Sequence, residues 1–292
     1  MTEAPGSDSS PPVRESRFRL RVLIVSFLVA VLVVGETALD VYRDHTRLTE
    51  DAERQVENLV VNLASTHKQV FDSINLLFFS LEDHLNETDT LDAGGRAHIG
   101  RLLRAFRSRS PEFQNVVVLD RDEIVVASGR RASSGEVLFF DPRRIKTLIE
   151  GNDLGKYIEA PVTTGSSANL VIPVVRAFRN RSGQVAYAAV VTLKPSALTG
   201  THSALEIGSG SVMLLARTDG IVLARSPSTD IVGGSLAGRP LFTEHIPSAS
   251  TGAYTSPPQS DGEIRIVGYH VIPEHKLVTA IAIDRDKTLA PW

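Results

Sequence analysis

The sequence predicts an α+β fold: an N-terminal transmembrane helix running into a long stalk helix, then two tandem antiparallel-sheet modules. Three observations predict it. A basic cluster precedes an uncharged apolar run near the N-terminus. Apolar residues then recur at helical spacing across residues 36–86, a stretch without proline or glycine. The remainder alternates in β-hairpin patterns that fall into two similar halves.

Composition narrows the function classes. The chain has 292 residues, 42% hydrophobic and 22% charged, enough to bury one large core or two modest ones. A formal net charge of -3 and the lack of any basic stripe argue against nucleic-acid binding. The absence of cysteine removes thiolate catalysis, zinc–thiolate sites and disulfide frameworks together.

Residues 1–19 read as a disordered basic cytoplasmic tail carrying Arg14, Arg17 and Arg19. The uncharged apolar run covers residues 22–35, short of the roughly 20 residues a spanning helix needs. Leu20 on one side and Thr37, Ala38 and Leu39 on the other extend it to a transmembrane helix at 20–39, with Arg19 and Arg21 snorkelling to the headgroups. Basic residues before the run keep the N-terminus cytoplasmic and send the rest of the chain outward. The competing reading is a signal peptide cleaved near Val33-Val34-Gly35. Both readings export the bulk of the chain.

Over the stalk helix, residues 40–86, apolar residues recur at Val56, Leu59, Leu63, Val70, Ile74, Leu77, Leu81 and Leu85. The steps of three, four or seven define one buried stripe. Val60, Phe71, Phe78 and Phe79 broaden it. Such a stripe packs against the chain's own sheet, or adds a dimer partner along its narrower first half; the pattern admits both.

After a polar break at 86–95, a short helix is expected at 96–107, ended by Ser110-Pro111. Residues 116–119 and 124–127 then read as one hairpin, and 169–178 with 185–193 as a second, with a helix near 142–150 between them. The arrangement repeats: 211–217 pairs with 221–225 around Thr218-Asp219-Gly220, and 264–272 with 276–283 around Pro273-Glu274-His275. The repeat defines a membrane-distal module at 87–198 and a membrane-proximal module at 199–292, divided within 194–210.

The ordered set of segments resembles the double Cache (PAS-like) sensor domains of bacterial membrane-bound signalling proteins. Phe140-Asp141-Pro142-Arg143-Arg144, Tyr157-Ile158-Glu159-Ala160-Pro161-Val162 and Ile172-Pro173-Val174-Val175-Arg176 carry the likeness in the distal half. In the proximal half it rests on Thr218-Asp219-Gly220 leading to Arg225, on Ser260-Asp261-Gly262-Glu263-Ile264-Arg265 and on Val267-Gly268-Tyr269-His270. The resemblance implies an extracytoplasmic ligand-sensing input module in the periplasm, held in a bacterial inner membrane by a single N-terminal anchor. It implies a cytoplasmic diguanylate cyclase (GGDEF or EAL) or histidine kinase output, which these residues do not contain. The sequence is then a fragment or a stand-alone sensor. The alternative is a soluble periplasmic small-molecule binding or interaction protein released by signal cleavage.

Catalytic motifs are absent: there is no G-x-S-x-G, no phosphate-binding G-x-x-x-x-G-K-[ST] and no H-E-x-x-H, so no enzyme activity is expected. Ser65-Thr66-His67-Lys68 fits S-x-x-K but lies within the stalk helix without companion motifs. His270, Glu274 and His275 flank a turn and read as exposed turn residues sooner than as metal ligands; no cofactor or metal is expected. By the resemblance Arg144, Tyr157 and Arg176 are the candidate ligand residues, the arginine fork suiting an organic anion. Their competing reading is surface or salt-bridged. Asp219, Asp261 and Arg265 read as turn formers or an ion pair. The expected partners are a small-molecule ligand, a second copy through the stalk helix, and the membrane.

Overall fold

The computed structural model describes residues 13–87, 90–109, 112–122, 124–130, 155–164, 169–200, 210–258 and 262–289. The chain divides into two compact units, Met1–Asp51 and Ala52–Trp292. Helix α1, Val13–Leu85, contributes to both.

In the first unit the described side chains Phe27, Leu28, Val31, Leu32 and Val33 are all exposed. Among the described residues no helix is long and apolar enough to cross a membrane.

The second unit is organised by the rest of α1. Val56, Val60, Leu63, His67, Phe71, Ile74, Phe78, Leu81 and Leu85 are each at most 2% exposed. Their steps of three and four put them on one helix face, since 3.6 residues make a turn. This wall is rotated slightly from the stripe expected from the sequence. Val60, Phe71 and Phe78 form its centre, Leu59 and Val70 flank it, and Phe79 turns outward at 59% exposure. Aromatic bulk at 71 and 78 meets the larger sheet, which takes the phase of the buried face.

Two sheets lie in this unit. The first orders its strands β2-β1-β6-β5-β3, with β4 added on β5. Its strands are β1 (Phe113–Asp120), β2 (Val125–Ser128), β3 (Tyr157–Ile158), β4 (Val162–Thr164), β5 (Asn169–Arg179) and β6 (Val185–Leu193). The second orders β8-β7-β11-β10-β9, from β7 (Val212–Arg217), β8 (Val222–Ser226), β9 (Thr251–Thr255), β10 (Arg265–Ile272) and β11 (Leu277–Asp284). Leaving β4 aside, the two orders are the same permutation of five strands. All four hairpins expected from the sequence form, β1–β2, β5–β6, β7–β8 and β10–β11, each antiparallel. Helix α2, Ala93–Arg109, covers β1 and β2. The helix expected near 142–150 lies outside the described residues. Strand β9 and the helical turn Leu241–His245 stand inside a stretch whose sequence shows only loop composition.

Side-chain alternation gives each sheet two faces. In β11, Leu277 and Ile281 face α1 while Val278 and Ala280 face away; in β7, Met213 and Leu215 face α1 while Leu214 and Ala216 face away. The early part of the wall (Ala52, Val56, Val60, Leu63) packs on Met213, Ile266 and Ile281 of the second sheet. The later part (Phe71, Ile74, Phe78, Leu81) packs on Val116, Val174, Phe178 and Val191 of the first. One helix therefore supplies the wall for both cores.

The approach is closest at Gly268 in β10, where a Cβ would lie 2.7 Å from Val56 Cγ1 and 3.0 Å from the Val56 backbone carbonyl carbon and oxygen. A side chain there must push the helix off the strand. Gly268→Ala is expected to destabilise by about 1–3 kcal/mol, the usual cost of overpacking. A lowered urea midpoint tests this; an unchanged midpoint contradicts the close approach.

Candidate functional site

Polar groups in the second unit gather where α1 passes from one sheet to the other. His67 sits in the apolar wall at 1% exposure. Its Nε2–H donates to the Leu198 carbonyl at 3.2 Å, because a carbonyl only accepts. Nδ1 must then accept, and takes the Thr279 hydroxyl of β11 at 2.9 Å. The ring is a neutral imidazole bridging the helix, the one-turn helix Pro195–Leu198 and the second sheet. Burial pushes its pKa down from 6.5 to about 4.

One turn further along α1, Asp72 accepts from His275 Nε2 at 2.9 Å and from Lys68 at 3.2 Å. His275, expected from the sequence to be an exposed turn residue, is instead buried, brought inward by the β10–β11 turn, where Lys276 takes a left-handed conformation with φ 53°. Its Nδ1 accepts from Lys156 Nζ at 2.7 Å, since an ammonium group can only donate. Lys68 also lies 3.4 Å from Glu274. The chain of contacts Lys156–His275–Asp72–Lys68–Glu274 thus ties the approach to β3, the last hairpin and α1 together. Burial pushes Lys156 down to about 8. Burial and the neighbouring Lys156 charge lower His275, outweighing the Asp72 carboxylate. Burial works to raise Asp72, but the hydrogen bonds from Lys68 and His275 prevail and hold it below the usual carboxylate range.

A second tie joins the sheets directly. Arg217, at the end of β7, donates through Nη1 to the Tyr157 hydroxyl and to the Ile158 carbonyl, both at 3.0 Å. Its guanidinium lies over the Tyr157 ring, 5.2 Å from the centroid. Asp219 holds it from the other side, with Nε 3.0 Å from Oδ1. That pairing lowers the Asp219 carboxyl.

The structure separates the residues expected from the sequence. Tyr157 is in this clasp. Arg176 lies on the α1 side of β5 with Val174 and Phe178; it pairs with Glu82 at 2.8 Å and packs over the rings of Phe79 and Phe178. With Lys156, Glu274 and His275 it lines an open recess of about 360 Å³. Arg144 and Asp261 lie outside the described residues. Asp219 stands in the β7–β8 turn and pairs with Arg217, and Arg265 pairs with Glu263 at 2.6 Å. Lys68 of the S-x-x-K stretch is engaged by Asp72 and Glu274, and Ser65 donates to the Val61 carbonyl. Among the described residues no group of three His, Cys, Asp or Glu side chains could hold a metal ion.

His67, Asp72, Lys156 and Arg217 are the site residues that motif reasoning missed. His67 left a trace: it occupies the i+4 position after Leu63 where the apolar stripe has a gap. Asp72 and Arg217 also have local partners in Lys68 and Asp219, but Asp72 with His275, Lys156 with His275 and Arg217 with Tyr157 meet only through long-range pairing.

Comparison with known proteins fits this geometry. Residues 197–282 match the dCache_1-like family model, described as a histidine kinase sensor domain. No curated protein sequence matches the chain. Among solved structures, the chain is similar to the extracellular domain of rpHK1S-Z16, assigned as a histidine kinase, with a TM-score of 0.70 and 20% identity over 83% of this chain and 98% of that one. It is similar to the periplasmic sensory domain of the Campylobacter jejuni chemoreceptor Tlp1, with a TM-score of 0.64 and 14% identity over 84% and 99%. A third is the ligand-binding domain of the Pseudomonas fluorescens chemoreceptor CtaA in complex with L-isoleucine, at 0.60 and 19% over 85% and 99%. The fold of the chain is similar to that of these three domains.

The His67 environment makes a pH prediction. Its folded pKa is depressed, so on acidification the unfolded chain takes up a proton that the folded chain refuses. The stability contributed by the neutral ring is complete above pH 6.5 and is lost as pH falls toward 4. About 3 kcal/mol is at stake over that window, at about 1.4 kcal/mol per unit. Urea unfolding of wild type and His67→Gln between pH 7 and pH 4.5 checks this. The difference between the two should shrink toward acid by about 2 kcal/mol. A difference independent of pH contradicts the buried neutral imidazole.

Proposed function

We propose that the chain is the extracytoplasmic ligand-sensing input module of a bacterial signal-transduction receptor, governing a histidine kinase or diguanylate cyclase output outside this sequence. The observation that carries the proposal is the shared wall of α1. A ligand that changes the curvature or spacing of either sheet changes the surface on which the same helix rests. The match of residues 197–282 to a histidine kinase sensor domain and the likeness to chemoreceptor sensory domains support the same reading.

Residues 20–39 serve in this proposal as the anchor in the bacterial inner membrane, with the sensor in the periplasm. The uncharged run at 22–35 and the exposure of Phe27, Leu28, Val31, Leu32 and Val33 support it. The chain works as a homodimer through α1. Leu76 at 70% exposure and Phe79 at 59% stand one turn apart on the outside of the helix, where a second copy would cover them. Two arrangements of such a dimer with different ligand affinities are what a signal requires.

The natural chain lacks cysteine, so a single introduced thiol reports one position. Leu76→Cys in membranes is expected to cross-link between copies. A metabolite that raises the melting temperature should change the cross-linking rate several-fold. At a hundred times its Kd such a ligand adds about 2.7 kcal/mol, worth about 5–10 °C for a domain of this size. No cross-link at Leu76 or elsewhere along α1, with or without stabilising ligand, would overturn the dimeric receptor.

A further inference from the structure

The second sheet turns one face away from α1, and part of that face borders a recess. Leu214, Val267 and Ala280, from three neighbouring strands, floor a recess of about 360 Å³, within the size range of small-molecule sites. The segment carrying Leu236 and Leu241 walls one side, and Tyr254 of β9 another. Three guanidinium groups, Arg225, Arg239 and Arg265, line the same space, and among the described lining residues there is no Asp or Glu.

Two of these arginines are held in place. Arg225 donates through Nη1 to the Ser228 carbonyl at 3.0 Å, and Arg265, its side chain 15% exposed, pairs with Glu263 at 2.6 Å. Each tie uses part of a five-donor fork and fixes its orientation. Arg239 is exposed at the rim. Tyr254 adds a neutral phenol stacked on His245 at 3.7 Å, and burial pushes its pKa up to about 12.

We propose that this recess of the second sheet is a ligand site for an amphipathic organic anion, its apolar body lying on Leu214, Val267 and Ala280 and its carboxylate meeting the arginines. The proposal rests on the chain being a sensing module and assigns its ligand class to the sheet of residues 212–284. A low-polarity floor beneath fixed cations discriminates twice: small hydrophilic anions gain nothing from the floor, and uncharged apolar molecules gain nothing from the guanidinium charge.

Equilibrium dialysis of the full chain in nanodiscs with hexanoate tests it, with acetate and hexanol as partial probes and protein-free nanodiscs subtracted. Saturable one-to-one hexanoate binding is expected, with acetate and hexanol each at least tenfold weaker. Arg239→Gln, at an exposed rim position that folding does not need, should weaken hexanoate at least tenfold, and Arg265→Gln likewise. Arg179→Gln, on the first sheet, should leave it unchanged. No saturable hexanoate binding, binding unaltered in Arg239→Gln and Arg265→Gln, or hexanol binding as well as hexanoate would each overturn the proposal. If a stabilising metabolite then still alters Leu76→Cys cross-linking in the Arg239→Gln chain, the sensing role stands and only this site falls.

Discussion

The structure of residues 52–289 depends on one constraint: a single face of α1 must be the inner wall of two sheets at once. From Val56 to Leu85 nine positions in unbroken steps of three and four, with Ala64 beside them, are exposed at 2% or less. A sheet buries one face well only if something covers it. Here the cover is shared. The close approach of Val56 to Gly268 fixes the helix against the second sheet, and Phe78 edge-on to Phe178, with centroids 5.9 Å apart, fixes it against the first.

The polar groups are a consequence of that constraint. Where the helix leaves one sheet for the other, the apolar surfaces diverge and backbone and side-chain polar groups need partners. His67 answers the Leu198 carbonyl and the Thr279 hydroxyl, while Asp72 answers His275 and Lys68. Buried polar contacts such as those of His67 add little net stability but are costly to break singly, so they specify one register of helix against sheets. The clasp of Arg217 on Tyr157 does the same between the sheets. A rearrangement at either sheet must therefore move several satisfied groups together, which favours discrete alternatives over gradual bending.

Much of this was legible in the sequence, and the parts that were not share a cause. The helix showed itself because apolar periodicity is local, and the four hairpins because β-rich runs flank turn residues such as Asp219-Gly220 and Ser182-Gly183. Strand β9 did not: Thr-Gly-Ala-Tyr-Thr has weak strand character, and its pairing with β10 supplies what composition lacks. The phase of the buried stripe was set by tertiary packing, which chose Phe71 and Phe78 and left Phe79 outside. Arg176 is the instructive case at the site. Alternation along β5 puts it on the face of Val174 and Phe178, toward α1, and Glu82 lies 94 residues earlier, beyond the reach of any local pattern. Arg225, Arg239 and Arg265 are likewise scattered along the chain and converge only when the second sheet closes.

Native-state hydrogen exchange measures the shared wall most directly. If α1 is one element common to both cores, the amides of Val60, Ile74 and Phe78 and those of the central strands β6 and β11 open with the same free energy and the same denaturant dependence. If β11 and the Val56–Leu63 part of α1 exchange through a separate, lower-energy opening while β6 and the Phe71–Leu81 part stay protected, the two sheets are independent and the helix does not couple them.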